Sequence, residues 1–222
     1  MANARVISVN VGREAGATWA GGLKRTAIDK RPVAAAVPAG VLGLAGDEQA
    51  DRAGHGGPDQ ALYAYAREDL DWWAARLGRP VRDGMFGENV TTAGLDLNGA
   101  LIGEIWQFGS VVVQVTAPRI PCIVFRNWMG EKGWIRRFRA AGRPGPYLRV
   151  RRPGAVQAGD PIRRLSRPAV SVTVAEVMAA YYERDAAVVR RMVAVPGHSS
   201  RWDGMAGEWL AAAAHPAAGA AG

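Results

Sequence analysis

Apolar and polar positions follow two different periods along this chain, and the change falls near Arg167-Pro168. Before it, short runs rich in β-branched and aromatic residues predict strands: RVISVNV (5–11), ALYAY (61–65), GEIWQF (103–108), GSVVVQVT (109–116) and YLRV (147–150). Such side chains pack well on a pleated surface, and the unbroken run at 109–116 has the pattern of a buried strand. Turn signals separate them, in GLAGD, GHGGPD, GRPGP and RPGAVQAGDP. Many short strands divided by Gly and Pro predict a barrel or folded sheet. Two helices interrupt this region. REDLDWWAARLG (67–78) spaces Leu70, Trp73, Ala74 and Leu77 along one face and stops at Gly78, while EKGWIRRFRAAG (131–142) puts Trp134, Ile135 and Phe138 together.

After Arg167 glycine thins out and helical spacing takes over. Thr173 and Glu176 stand at capping-box spacing ahead of one helix (173–182). Asp185 is a plausible N-cap for a second (185–195), and a third follows at 199–210. The expected architecture is mainly β within an α+β class: a barrel-type domain over 1–167 with short peripheral helices, a three-helix subdomain over 168–213 and a low-complexity tail over 214–222. Met178, Met192 and Trp209 are expected as the core of the helical part.

Composition narrows the picture. With 49% hydrophobic and 22% charged residues, and no apolar run of membrane-spanning length, the pattern is that of a globular chain that does not cross a membrane. A single cysteine in 222 residues cannot close an internal disulfide, which suits a reducing, cytoplasmic compartment. The net charge is +8, carried by 25 Arg and only three Lys. Residues 136–167 hold ten Arg against one acid, Asp160, which is either attraction for an anionic partner or a solvated face. Aromatic residues do not interleave with these arginines, so nucleic acid is not the expected partner.

Four segments carry candidate chemistry. In TAPRIPCIVF (116–125) the lone thiol, Cys122, follows Pro121 and lies three residues after Arg119. Proline fixes φ and donates no N–H, so PRIPC is a stiff strip expected at a sheet edge. A nearby cation favours the thiolate, the form that attacks and ligates metal; a small buried hydrophobe is the alternative. GDEQADRAGHGGPDQALYAY (46–65) crowds Asp47, Glu48, Asp51, His55 and Asp59, but at no standard zinc or calcium spacing, so a tight turn with capping acids is preferred to a metal site. LKRTAIDKRPV (23–33) offers Lys24, Arg25, Thr26, Lys30 and Arg31 to a phosphate, or is a solvated basic loop. In GMFGENVTT (84–92), Asn89 suits a turn or the edge of a heterocycle.

Taken in order, VNVG, KRTAIDKRPV, GLAGDEQADRAGHGGPDQALYAY, FGENVTTAGL, APRIPC, PYLRV and GAVQAGDPI resemble the MOSC family, the molybdenum-cofactor sulfurase C-terminal domains, and within it the YiiM-type branch with its three-helix C-terminal domain. One departure is Gln60, where the family more often carries Lys. The resemblance implies a β-barrel fold that binds molybdenum cofactor, with Cys122 as the protein ligand of the metal; no pyridoxal phosphate is expected. It implies a two-electron reductase of small N-hydroxylated compounds such as amidoximes, hydroxylamines and N-hydroxylated bases. Arg25, Thr26, Lys30 and Arg119 are the expected cofactor contacts, Asn89 the contact to the pterin edge, and His55 either a proton shuttle or a packing residue. The chain has no cysteine set for an iron–sulfur cluster and no dinucleotide fingerprint, so a separate flavin- or haem-containing reductase is the implied electron donor, with 136–167 as its docking face. The alternative is a sulfur carrier or cofactor-handling module that holds Cys122 as a persulfide.

Overall fold

The computed structural model describes residues 4–51 and 56–214. Among the described residues thirteen strands and six α-helices follow in chain order. The strands are β1 (Arg5–Val11), β2 (Ala15–Gly16), β3 (Arg25–Thr26), β4 (Arg31–Val33), β5 (Val37–Gly40), β6 (Gly43–Leu44), β7 (Leu62–Ala66), β8 (Val90–Ala93), β9 (Ile105–Phe108), β10 (Val111–Pro118), β11 (Pro146–Arg152), β12 (Gly154–Val156) and β13 (Ile162–Ser166). The helices are α1 (Arg67–Leu77), α2 (Ile123–Met129), α3 (Trp134–Ala141), α4 (Val174–Glu183), α5 (Ala186–Val193) and α6 (Arg201–Ala214). Among the described residues no helix is long and apolar enough to cross a membrane.

Eight strands form one mixed sheet in the order β13-β9-β10-β11-β7-β8-β1-β4. The pairs within it are antiparallel except β7 with β8, which run parallel because α1 carries the chain back between them. β10 lies inside the sheet, third from the β13 edge, and all eight of its residues are buried, as its largely apolar run requires. The α+β class holds, but the sheet is not a closed barrel. Its β13 and β1 regions meet through a single isolated bridge, Arg5 to Pro161, flanked by backbone bonds such as Val6 N–H to Asp160 O (2.9 Å) and Ile162 N–H to Ala4 O (2.8 Å). β4 continues the ladder beyond β1, so no uninterrupted ring of hydrogen bonds forms.

Two apolar clusters hold the molecule together. One is built largely on the strands of the sheet and includes Val9, Leu62, Trp106, Phe108, Val113 and Leu148. The three C-terminal helices contribute to that same cluster through Val174, Val177, Val189, Met192 and Trp202. Met178 instead joins the second cluster, and Trp209 packs half-buried against the first. The second cluster is aromatic: Trp73 of α1, Phe86, Phe125 of α2, and Trp134 and Phe138 of α3, with ring centroids 4.6 to 6.2 Å apart. Edge-on rings at these separations add to area burial because the positive rim of one meets the negative face of another.

Candidate functional site

The thiol does not lie at a sheet edge. β10 ends at Pro118, the Arg119 N–H still bonds Gly145 O (3.0 Å), and the chain then turns so that Cys122 becomes the N-cap residue of α2 in an extended conformation (φ −108°, ψ 176°). Its carbonyl accepts the Arg126 N–H at 3.0 Å, which closes the first turn. Phe125 and Met129, four apart, insert into the aromatic cluster and hold the helix against the sheet. Cys122 is thereby anchored by the end of a buried central strand on one side and a packed helix on the other. It is half-buried and lines a cleft of about 130 Å³.

Arg25, Thr26, Lys30, Asn89 and Arg119 line the same cleft, joined by Asp47, Gln60, Tyr63 and Tyr147. Five separated segments, at 25–30, 47–63, 89, 119–122 and 147, therefore meet there. His55 lies outside the described residues. Tyr63 and Tyr147 are cross-strand partners of β7 and β11, with ring centroids 5.4 Å apart. The Tyr63 hydroxyl donates to Pro144 O at 2.7 Å, and burial pushes both phenols upward, so they remain neutral donors.

Arg119 is only 5% exposed. One arm, Nη1, donates to the Phe86 carbonyl at 2.8 Å, and the guanidinium lies over Phe125 (3.9 Å to the ring centroid) and Tyr63 (5.2 Å). These aromatic faces, rather than a carboxylate, balance the cation. Its Nε–H, also buried, has no partner. So does a second buried atom of the cleft, Gln60 Oε1.

The basic segment behaves differently at each residue. Lys30 is 7% exposed and its ammonium pairs with Asp47. Burial holds its pKa below the ordinary lysine range, with Asp47 pulling the other way. Arg25 is exposed at the rim and pairs with Glu14. The Thr26 hydroxyl accepts the Ile28 N–H at 3.1 Å and can still donate. Asn89 is engaged on both sides: Oδ1 accepts the Tyr63 N–H (3.2 Å), while Nδ2 donates to Asp47 (2.8 Å) and Asn10 O (3.4 Å). Its amide shapes the wall by fixing Asp47 and β7. Gly12 brings β1 against this wall, because a Cβ there would lie 2.4 Å from Ala27 O; its N–H bonds Asp47 at 2.8 Å.

The crowded acids of 46–65 have separate duties. Asp47 serves Lys30, Asn89 and Gly12; Glu48 accepts from Arg13 and the Glu14 N–H; Asp59 takes Arg149 and Ser200. Among the described residues no group of three or more His, Cys, Asp or Glu is arranged to hold a metal ion. The arginines of 136–167 are also largely committed: Arg143 to Asp69, Arg149 to Asp59, Arg164 to Glu104 and Arg137 to Glu131.

Two groups were not assigned a role from the sequence. Gln60 stood out only as a departure from the Lys that the family more often carries. Glu88 stands behind the wall with no exposure, accepting the Gly84 N–H (2.6 Å), the Phe86 N–H (2.9 Å) and the Thr91 hydroxyl (3.1 Å). Burial pushes its carboxyl up to about 7 against the pull of those donors. The available signal was an acid set inside the apolar stretch MFGENV.

Comparison with known proteins identifies the family. The MOSC domain matches residues 51–163. The chain is 33% identical to the uncharacterized protein YflK of Bacillus subtilis over 89% of its own length and 90% of that protein's. It is also 33% identical to a protein named as a reductase from Gibberella moniliformis, over 67% of this chain but 27% of that longer one. The crystal structure of YiiM from Geobacillus stearothermophilus superposes with a TM-score of 0.78 at 30% identity, covering 93% of this chain and 99% of that one. The chain belongs to the MOSC domain family.

Proposed function

We propose that this protein is a molybdenum-cofactor-dependent reductase of N-hydroxylated compounds, with Cys122 as the metal's protein ligand. The observation that carries this reading is the pairing, in one cleft, of an anchored thiol with a buried arginine whose Nε–H has no partner. A thiolate is a soft ligand suited to such a metal. An unsatisfied buried donor costs about 1–3 kcal/mol until an acceptor arrives, so Arg119 fits an anionic group beside the sulfur. The residues present thus suit the cofactor. When bound, it supplies the two-electron reduction that takes R–NH–OH, two electrons and two protons to R–NH₂ and water.

The chain's own residues bind and orient. Cys122 would hold the metal, and strand β10 and helix α2 leave its backbone little freedom. Arg119 presents Nε–H towards negative charge without reorganising, since Phe86 O and the two rings already hold its plane. Lys30 retains two N–H groups after pairing with Asp47, and the Thr26 hydroxyl one, for the cofactor phosphate. Arg25 at the rim takes the outermost anionic groups. The Tyr63 and Tyr147 phenols stay protonated and line the cleft with Cys122, where they would flank a bound substrate. Electrons come from a separate flavin- or haem-containing reductase. The name of the Gibberella relative and the family membership support an oxidoreductase.

The test is metal and pterin analysis of the chain produced in a cofactor-competent host, beside Cys122→Ser. The expected result is molybdenum and pterin in the first, loss of most of the molybdenum in the second, and equal unfolding midpoints. A wild-type chain with no pterin and an extra sulfur atom on Cys122 by mass spectrometry overturns the reading in favour of a sulfur carrier.

A further inference from the structure

Gln60 Oε1 and Arg119 Nε are both buried, both unpartnered and both on residues that line the cleft with Cys122. One can only accept a hydrogen bond and the other can only donate one. Buried polar atoms in native proteins find partners, in the protein, in ordered water or in a ligand. Their chemistry is complementary: a ligand that satisfies both carries an N–H group close to an anionic or oxygen acceptor. A second anion would leave Gln60 Oε1 facing like charge.

Gln60 is also held in place by contacts that its own side chain does not make. It ends the short 3-10 turn Pro58–Gln60, whose N–H bonds Gly57 O at 3.1 Å. The preceding residue is locked three ways. The Asp59 carbonyl accepts the Thr116 hydroxyl at 2.6 Å, and its carboxylate accepts Arg149 and both the N–H (2.8 Å) and hydroxyl (2.9 Å) of Ser200. Thr116 belongs to β10, the same strand that leads to Arg119 and Cys122. Acceptor, donor and thiol are thus referred to one rigid element, as a selective site requires.

We propose that Gln60 is the specificity residue of this cleft, accepting a hydrogen bond from an N–H of the molecule bound beside Cys122. The inference rests on the reductase reading above. Two sources offer that chemistry: the pterin edge of the cofactor, and the nitrogen of an amidoxime or monosubstituted hydroxylamine substrate. A site built around a hydrogen bond discriminates strongly against an analogue that lacks the donor, because the buried acceptor is left unpaired.

The experiment compares the wild type with Gln60→Met, which removes the acceptor at similar volume, and Gln60→Glu, which keeps one. Each is produced in a cofactor-competent host and assayed for molybdenum, pterin and unfolding midpoint. With reduced methyl viologen as electron source, kcat and KM are measured for benzamidoxime, which carries N–H, and N,N-diethylhydroxylamine, which does not. If the pterin supplies the N–H, Gln60→Met loses about tenfold in pterin retention, a difference near one hydrogen bond, and Gln60→Glu retains it. If the substrate supplies it, pterin is unchanged and kcat/KM falls by about that factor for benzamidoxime alone. In both cases the unfolding midpoint of the cofactor-free Gln60→Met chain, measured beside these, separates the loss of a ligand contact from a loss of fold. Equal pterin and an unchanged ratio between the two substrates in Gln60→Met overturn the inference and leave the reductase reading standing. A wild type without molybdenum overturns both.

Discussion

Asp59 accepts hydrogen bonds from two nitrogens of Arg149, Nε at 2.9 Å and Nη2 at 2.5 Å, while its other oxygen takes the backbone and hydroxyl of Ser200. A side chain beside the cleft is thereby tied both to the central sheet, through β11, and to the segment that enters α6. Arg149 also donates to His198 O at 3.2 Å, so the loop before the last helix is drawn onto the same arginine. The C-terminal helices consequently support the turn that carries Gln60.

Replacing Asp59 by Ala is expected to destabilise the fold by about 2–4 kcal/mol, because it leaves Arg149 and the Ser200 N–H without an acceptor in a partly buried place. Burial alone would raise the Asp59 carboxyl, but the bonds from Arg149 and Ser200 outweigh it and hold it below the ordinary value of 3.8. Its contribution is then present above 3.8 and is lost as pH falls through the lower folded value. Denaturant unfolding at pH 7 and pH 3 should show the gap between wild type and Asp59→Asn narrowing on the acid side. A constant gap means the carboxylate is not what Arg149 and Ser200 read.

Lys30 and Asp47 form a pair with side chains 9% and 2% exposed. Removing one partner strands the other charge away from water, so Asp47→Ala should cost about 3–5 kcal/mol. The double variant Lys30→Met with Asp47→Ala should recover only the part owed to the stranded ammonium, because Asn89 Nδ2 and the Gly12 N–H still lose their acceptor. Urea unfolding of the two single variants and the double variant gives the coupling. Additive losses would mean that the two groups act independently.

Glu88 gives a pH signature of opposite sign. Its carboxyl is pushed from 4.5 up to about 7 by burial, so the folded chain holds a proton there that the unfolded chain has released. Stability from this group is full below 4.5 and declines as pH rises to about 7, by on the order of 3 kcal/mol. In Glu88→Gln that decline disappears, and wild type and variant diverge in slope across this window. Guanidinium unfolding at pH 4.5 and 7.5 checks it; parallel behaviour of the two chains rules out a proton held at Glu88.

Much of this frame was legible in the sequence where local signals and tertiary demands coincide. Strand β1 occupies Arg5–Val11, the same residues its β-branched run predicts, and α1 ends at Gly78 in a left-handed conformation (φ 64°). Thr173 and Glu176 make both bonds of the capping box. Helix α2 was not legible: IVFRNWM begins with β-branched residues, and what makes it helical is the fit of Phe125 and Met129 into the aromatic cluster. Closure of the sheet was equally out of reach, since it depends on whether β1 and β13 align over many residues, and they meet at one. At the site, residue type indicated donors but not their state. Arg119, Lys30 and Asn89 are alike as polar candidates, yet one keeps a vacant N–H, one is paired and one is fully engaged.

Phe86 links that core to the cleft. Its ring meets Tyr65, Trp73, Phe125, Trp134 and Phe138, its N–H bonds Glu88, and its carbonyl holds Nη1 of Arg119. Phe86→Ala should cost about 3–5 kcal/mol through lost burial and the cavity left among the rings. Phe86→Leu fills more of that space and should cost less, about 1–3 kcal/mol, while the cluster still shifts to close around a smaller side chain. Any shift of the backbone at residue 86 moves the carbonyl that orients Arg119, so ligand affinity in the cleft should weaken in Phe86→Leu even where the chain remains fully folded. Unfolding free energies and pterin content measured on the same preparations test this. If Phe86→Leu loses stability but retains pterin as well as the wild type does, the orientation of Arg119 is set by Phe125 and Tyr63 and not by the carbonyl.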